Sequence, residues 1–268
     1  MFRKIFLREF GKTLQSPVFY IFFAIFFGTT LIFVSTTDPY TMFMGLANGR
    51  ELHNAPIKIA QLLARLSVMG LLCSMIIIGR SVAKDFEVNI HELIFSSPVS
   101  KWQYLGGRFL GSYTANLLLF ISVILGFEAG RFIIDPVYFG PYLFGTYLIP
   151  YVFIIIPNVL LIGGIMFAAA TLSRNMISTY LSGVAFLAVY SIISVLLHRL
   201  DNETVKVLFD PFGINGLIVY SKFWTVADMN SRLMPMNITF LINRIFWFGA
   251  TISILFYTYK KFKFTASL

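Results

Sequence analysis

Charge is scarce in this chain of 268 residues. Asp, Glu, Lys and Arg make up only 12% of it, against about 25% in soluble globular domains. A single core of this size leaves a large surface needing polar cover, so a water-soluble enzyme or binding module is excluded. Cysteine is nearly missing. The one thiol, Cys73, excludes an intrachain disulfide and any multi-cysteine metal site. Histidine is sparse and scattered, at His53, His91 and His198. Without an H-E-x-x-H, a zinc hydrolase has no support. No G-x-x-x-x-G-K-[ST] is present to cradle ATP phosphates, and no G-x-S-x-G to present a nucleophilic serine. No acidic residue falls mid-way along a long apolar run, where ion-coupled pumps place their proton relays.

Apolar surface is what the chain has in abundance. It is 57% hydrophobic, with 30 Phe, 13 Tyr and 3 Trp, and its mean hydropathy is +0.79. That composition excludes disorder and leaves an integral membrane protein. A bilayer core of about 30 Å needs about 20 apolar helical residues. Six stretches qualify: Pro17 to Ser35, Ile59 to Gly79, Leu105 to Phe127, Tyr142 to Leu172, Met176 to Leu197, and Ile238 to Tyr259. Barrel strands would alternate polar and apolar residues. Runs such as Tyr20–Leu31 and Ser178–Leu197 do not, so the expectation is an all-α membrane domain spanning residues 1–268. The first stretch is too long for a cleaved signal, and no small-residue cleavage site precedes Asp38-Pro39. Pro150 and Pro157 predict a kink in the fourth span. Cys73 and Ser178, Ser182, Ser191 and Ser194 read as helix-packing residues.

The net charge of +9 is a topology signal. Its Lys and Arg residues are scattered and form no continuous basic stripe, so nucleic acid is not a predicted partner. One side collects Arg3, Lys4, Arg8, Lys12, Arg80, Lys84, Lys101, Arg108, Arg174, Lys260, Lys261 and Lys263. With six alternating spans this side is cytoplasmic, and both termini lie on it. The opposite side has Arg50, Lys58 and Arg131, and four more basic residues in its last long loop. Arg65, Glu128, Arg131 and Arg244, near the outer ends of spans, are expected to snorkel to the interface, pair with one another, or line an outer exit.

Three stretches lie outside the spans. In residues 2–14, Phe2, Phe6, Phe10 and Leu14 form an apolar stripe beside a cationic one of Lys4, Arg8 and Lys12. This is the pattern of an interfacial helix facing anionic lipid headgroups, although any positive N-terminus before a first span resembles it. Between Arg80 and Tyr104, Val82, Phe86, Ile90, Leu93 and Ile94 line one helical face, with Lys84, Asp85, Glu87, His91 and Glu92 around the rest. Ser97 and Pro98 then predict a stop and a new helix, capped by Ser97 and leading past Lys101 into the membrane. An acidic amphipathic helix suits docking of a soluble partner, and its charges equally suit a plain solvated loop. The third stretch, His198 to Asn237, is too long and too aromatic for a bare connector. It predicts short helices dipping into the outer interface, or an ordered cap over the helix tops. Two N-x-T triplets, at Asn202 and Asn237, match the N-glycosylation pattern, but such triplets arise often by chance and would mean nothing in a bacterium.

The layout resembles the permease subunit of ABC-2 type transporters. The local likeness runs from Lys84-Asp85-Phe86-Glu87 through Glu92 to Ser97-Pro98-Val99-Ser100-Lys101, then Gly107-Arg108-Phe109. A second stretch is similar to a Bacteroidota subgroup in which permease halves precede a peptidase-like domain. It comprises Asp210-Pro211-Phe212-Gly213, Phe223-Trp224-Thr225 and Asn243-Arg244-Ile245-Phe246-Trp247. The chain departs from that long form by ending at Ser267-Leu268, and no peptidase activity carries over.

The resemblance implies an N-terminal interfacial helix, a coupling helix between spans two and three, and re-entrant helices before span six. It implies an exporter subunit in the bacterial inner membrane, moving an unidentified substrate. No catalytic residue, metal or cofactor is expected in this chain, ATP and Mg²⁺ being held by a cytosolic ATPase subunit. That ATPase would dock on Lys84, Asp85, Phe86, Glu87, His91 and Glu92, and the elbow at Ser97, Pro98 and Lys101 would transmit the movement. Asp210, Pro211, Phe212, Gly213, Trp224, Asn243 and Arg244 would build the outer re-entrant segment. A second permease copy or homologous half would complete the pathway, with membrane lipid around it. The alternative is a non-transporting membrane anchor of a surface or motility assembly.

Overall fold

A computed structural model of the chain describes residues 1–35, 51–134 and 136–264. Asp38-Pro39, Arg50 and Ser267-Leu268, used in the readings above, lie outside the described residues. All regular structure among the described residues is helical. Six helical stretches are long and apolar enough to cross a membrane: Pro17–Ser35, Pro56–Glu87, Lys101–Gly130, Phe144–Ser173, Met176–Arg199 and Ile238–Lys261. The protein is therefore a multi-pass all-α membrane protein.

Their burial sorts them into a centre and a rim. The most apolar stretch of the second span is 72% buried, against 11% in the fifth. The second span packs against the third, fourth and fifth, and Ile59, Leu63, Cys73, Ile78 and Val82 of it are wholly enclosed. The third and fourth spans complete the core through Phe120, Phe127, Ile155 and Val159. Spans one, five and six present Ile21, Ile25, Leu181, Ile192, Ile245 and Phe256 outward. Such apolar faces suit hydrocarbon, where exposure carries no hydrophobic penalty.

The fourth span changes its helical pattern between its two prolines. Phe144–Pro150 gives way to a wide π turn at Tyr151–Ile155, and a regular helix resumes at Ile156. The wide turn lies just before Pro157, which lacks an N–H and whose ring would crowd a regular turn there.

The second span ends later than hydropathy predicts, at Glu87 instead of Gly79. Ser81, Val82, Ala83, Asp85 and Phe86 are buried there, so packing carries the helix past its apolar run. Asn89, at φ +54, then breaks the chain direction. A short helix, His91–Phe95, follows. The expected single amphipathic helix carrying Val82, Phe86, Ile90, Leu93 and Ile94 is thus two pieces, and its apolar face is divided. Val82 and Phe86 are buried, whereas Ile90 and Leu93 are exposed.

The helix cap also differs from the expectation. The third span starts at Lys101 with Ser100 as its cap, in a reciprocal box with Gln103. Ser100 Oγ accepts from Gln103 N, and Gln103 Oε1 accepts from Ser100 N at 3.2 Å. Ser97 instead closes the preceding helix, donating to the Ile94 carbonyl. Pro98 stays exposed in the turn between them. The long loop before span six folds as Glu203–Phe209, Ile214–Ser221 and Val226–Ser231, followed by an extended run to Asn237.

Candidate functional site

Two buried polar clusters and one exposed tip organise the two ends of the bundle. At the end bearing both termini, the N-terminal helix Phe2–Leu14 lies along the start of the third span. Close approach requires the glycines there. A Cβ on Gly111 would sit 2.7 Å from the Phe6 carbonyl, and one on Gly107 would sit 2.8 Å from Ile5. Spaced four apart, these glycines leave one flat stripe on the third span. The helix brings Glu9 against Arg108, which pairs with both Glu9 and Asp85 through its two terminal nitrogens. Tyr104 Oη donates a further hydrogen bond to Asp85 Oδ2 at 2.9 Å. Glu9 and Asp85 are nearly inaccessible. The buried carboxylates are tolerated because both accept charge-assisted hydrogen bonds from one guanidinium.

This geometry corrects two expectations. Asp85 is not a surface carboxylate for a partner, because it faces inward onto Arg108. Arg108 is less a topology marker than the centre of a cluster joining three segments. Sequence reasoning missed Glu9. Its one visible signal was an acid on the helical line of Phe2, Ile5 and Thr13, opposite a Gly-x-x-x-Gly.

Beside the charge cluster, an aromatic cluster anchors the short helix. Phe86 packs on the His91 ring at 4.7 Å, and Phe95 packs on Phe264 at 4.2 Å. Phe262 lies against Phe86 and Phe95, and the Arg174 guanidinium covers Phe86 at 4.9 Å. Phe86 and His91 are therefore internal anchors, not contact residues. Lys101 locks the elbow to the end of span six, donating to the Phe262 carbonyl and lying 4.6 Å from the Tyr259 ring. Glu87 is exposed, yet its carboxylate accepts from Met176 N at 3.2 Å. It thus caps the fifth span, where an acid meets the positive end of the helix dipole.

What remains outward on this end is a small mixed tip. Val88, Ile90 and Leu93 are exposed, Leu93 by 75%. Glu92 is exposed beside them, and Glu92 makes no ion pair among the described residues. Lys84, one turn before Val88, is half-buried.

At the far end, the Asp210-Pro211-Phe212-Gly213 segment joins two short helices. Asn243 Nδ2 donates to the carbonyls of Val207, Leu208 and Asp210 at 2.8 to 2.9 Å. Arg244 donates to the Asp210 and Pro211 carbonyls and to Asn158 Oδ1. Together they satisfy the carbonyls that the helix Glu203–Phe209 leaves open. The Asp210 carboxylate receives the N–H groups of Phe212 and Asn215 at 3.0 and 2.6 Å, capping the next helix. Burial pushes the Asp210 carboxyl above its ordinary range, while the Asn215 N–H and Arg244 pull it back. Gly213 sits at φ +77, and a Cβ there would meet Arg244 Nη2 at 2.9 Å. Phe212 is fully buried against Tyr190 at 4.7 Å, among Leu71, Ile162 and Met166. Trp224 is half-buried, 5.9 Å from the Arg232 guanidinium.

Arg244 therefore does not snorkel. It is buried and committed to oxygens of this chain. Glu128 and Arg131 do pair, at 3.5 Å. Asn158, unremarked in the sequence, ties the fourth span to the second by donating to Ser67 Oγ at 2.8 Å. No group of three His, Cys, Asp or Glu able to hold a metal occurs among the described residues. No family model matches the chain, and no curated protein matches it.

Proposed function

We propose that this chain is the membrane-spanning permease subunit of an ABC-2 type exporter of the bacterial inner membrane, with both termini cytoplasmic. One observation carries the reading. The exposed tip formed by Val88, Ile90, Glu92 and Leu93 stands on a rigid base of two clusters. A solvated loop has no need of such a base, because loops are ordinarily the mobile parts of a fold. A tip that must transmit force does need it.

In this reading a cytosolic ATPase, holding ATP and Mg²⁺, grips the apolar side chains of the tip while Glu92 meets a basic residue. Its nucleotide-driven closure pushes on His91–Phe95. The aromatic cluster and the Arg108 cluster pass the push to spans two and three and to the N-terminal helix, which lies on the membrane surface as an interfacial helix. Lys84, Asp85, Phe86 and His91 act here as the root of the lever. The three short helices before span six are outer re-entrant elements, held by Asn243 and Arg244. The little-buried fifth span leaves room for a second copy alongside lipid.

The test is co-expression with an ATP-binding-cassette ATPase from the same operon. Purified complexes of wild type and of L93K/E92K are compared for ATPase content and ATP turnover. The proposal expects loss of the ATPase from L93K/E92K with span packing intact. Equal association and equal turnover would sink it.

A further inference from the structure

A cavity of about 210 Å³ opens between the N-terminal helix, the start of span one and the end of span two. It is lined by the cations Lys12, Arg80 and Lys84 and by the apolar Val18, Ile76 and Ile77. None of the three cations makes an ion pair among the described residues. Glu9 also lines the cavity, but its carboxylate is spent on Arg108. The lining thus holds three cations against one carboxylate, and the adjoining Arg108 and Asp85 offset each other. Like charges sharing a cleft with apolar walls repel strongly, since the walls weaken solvent screening. An anion relieves that repulsion. The space holds several waters at about 30 Å³ each, and so accepts a phosphate group.

We propose that this cavity binds the phosphate of an anionic membrane lipid, with Lys12, Arg80 and Lys84 as its ligands. Phosphate is the shared chemistry of a lipid headgroup and of the free ion, and the apolar lining decides between them. Val18, Ile76 and Ile77 belong to spans one and two, so the cavity is continuous with surfaces that meet acyl chains. A free ion gains nothing from apolar lining, whereas an amphiphile does. Basic pockets between transmembrane helices are the recurrent setting for headgroup recognition. The bound lipid would bridge the N-terminal helix to span two from the side opposite the third span. This proposal needs neither the tip nor an ATPase; it shares only Lys84 with the docking reading, and R80Q, outside the lever, tells the two apart.

Native mass spectrometry of the purified full chain tests it, with phosphatidylglycerol, phosphatidylcholine and inorganic phosphate as separate probes. K12Q/R80Q/K84Q is compared with K260Q/K261Q, which removes exposed charge from the same end of the bundle. The expected result is phosphatidylglycerol retained by wild type and by K260Q/K261Q, and bound about a hundredfold more weakly by K12Q/R80Q/K84Q, about fivefold for each charge. If the triple variant fails to fold, R80Q alone, at an exposed position, is expected to show about the fivefold loss. Equal retention by K12Q/R80Q/K84Q and K260Q/K261Q overturns the site. Equal binding of phosphatidylcholine, or displacement of the lipid by inorganic phosphate at matching concentration, overturns the assignment to an anionic lipid.

Discussion

At one end of the bundle Arg108 meets two carboxylates, and at the other Arg244 meets amide and carbonyl oxygens. Both guanidiniums are largely withdrawn from solvent, yet they are neutralised differently. Arg108 is balanced by full charges from the N-terminal helix and span two, so each partner depends on the others being present. Arg244 is balanced mainly by dipoles, with the Asp210 carboxylate nearby, and its work is to close helix ends. The first arrangement holds separate segments together through charge. The second builds local shape in one stretch of chain. An ionic junction is the better mechanical link and the more fragile one, because losing one member leaves uncompensated charge.

The comparison is broken most directly at Arg108. R108Q strands Glu9 and Asp85 face to face, and a loss of about 3 to 5 kcal/mol is expected. Thermal unfolding in detergent reads it, and E9Q/D85N/R108Q should recover most of the stability by removing all three charges. R244Q comes next. It opens the hydrogen bonds to Asp210, Pro211 and Asn158 but strands no pair of like charges, so the expected loss is about 1 to 3 kcal/mol. A cost equal to that of R108Q would erase the distinction between the two clusters. G213A sharpens the far-end account, since the added methyl meets Arg244 at a positive φ. About 1 to 2 kcal/mol is expected, confined to protease sensitivity of the 203–231 region.

The smallest effect lies outside both clusters, at His53. It is buried near Tyr138 and Phe139, and burial, aided by Lys58, holds its imidazole below the ordinary histidine range. The unfolded chain then takes up a proton at about pH 6.5 that the folded chain resists. Stability is therefore full above that pH and falls as the pH drops through it. H53Q should flatten this dependence between pH 7.5 and 5.5 without altering the melting midpoint of either cluster variant relative to its parent.

The spans were legible because hydropathy is a sum over many residues. Pro17, Met176 and Ile238 start their helices where the apolar runs begin. The end of span two was not legible, since Asp85 looks like solvent-facing charge until Arg108 is placed beside it. The cap of span three was half legible. Ser97 and Ser100 both suit a cap, and the deciding signal was Gln103 three residues after Ser100. The importance of Asp210-Pro211-Phe212-Gly213 and Asn243-Arg244 was visible as pattern, while its physical reason needed the carbonyls of Val207 and Leu208. Glu9 with Arg108, and Asn158 with Ser67, are pairings across most of a hundred positions. Periodicity within one helix carries no information about them.

The central claim is that the tip at Val88 to Leu93 receives a cytosolic ATPase. A photo-crosslinking residue placed at position 93, and in a separate variant at position 132, tests it in intact cells. Phe132 is 91% exposed at the opposite end of the bundle. The account predicts capture of the co-expressed ATPase from position 93 and none from position 132. Capture from position 132, or from neither, would contradict it.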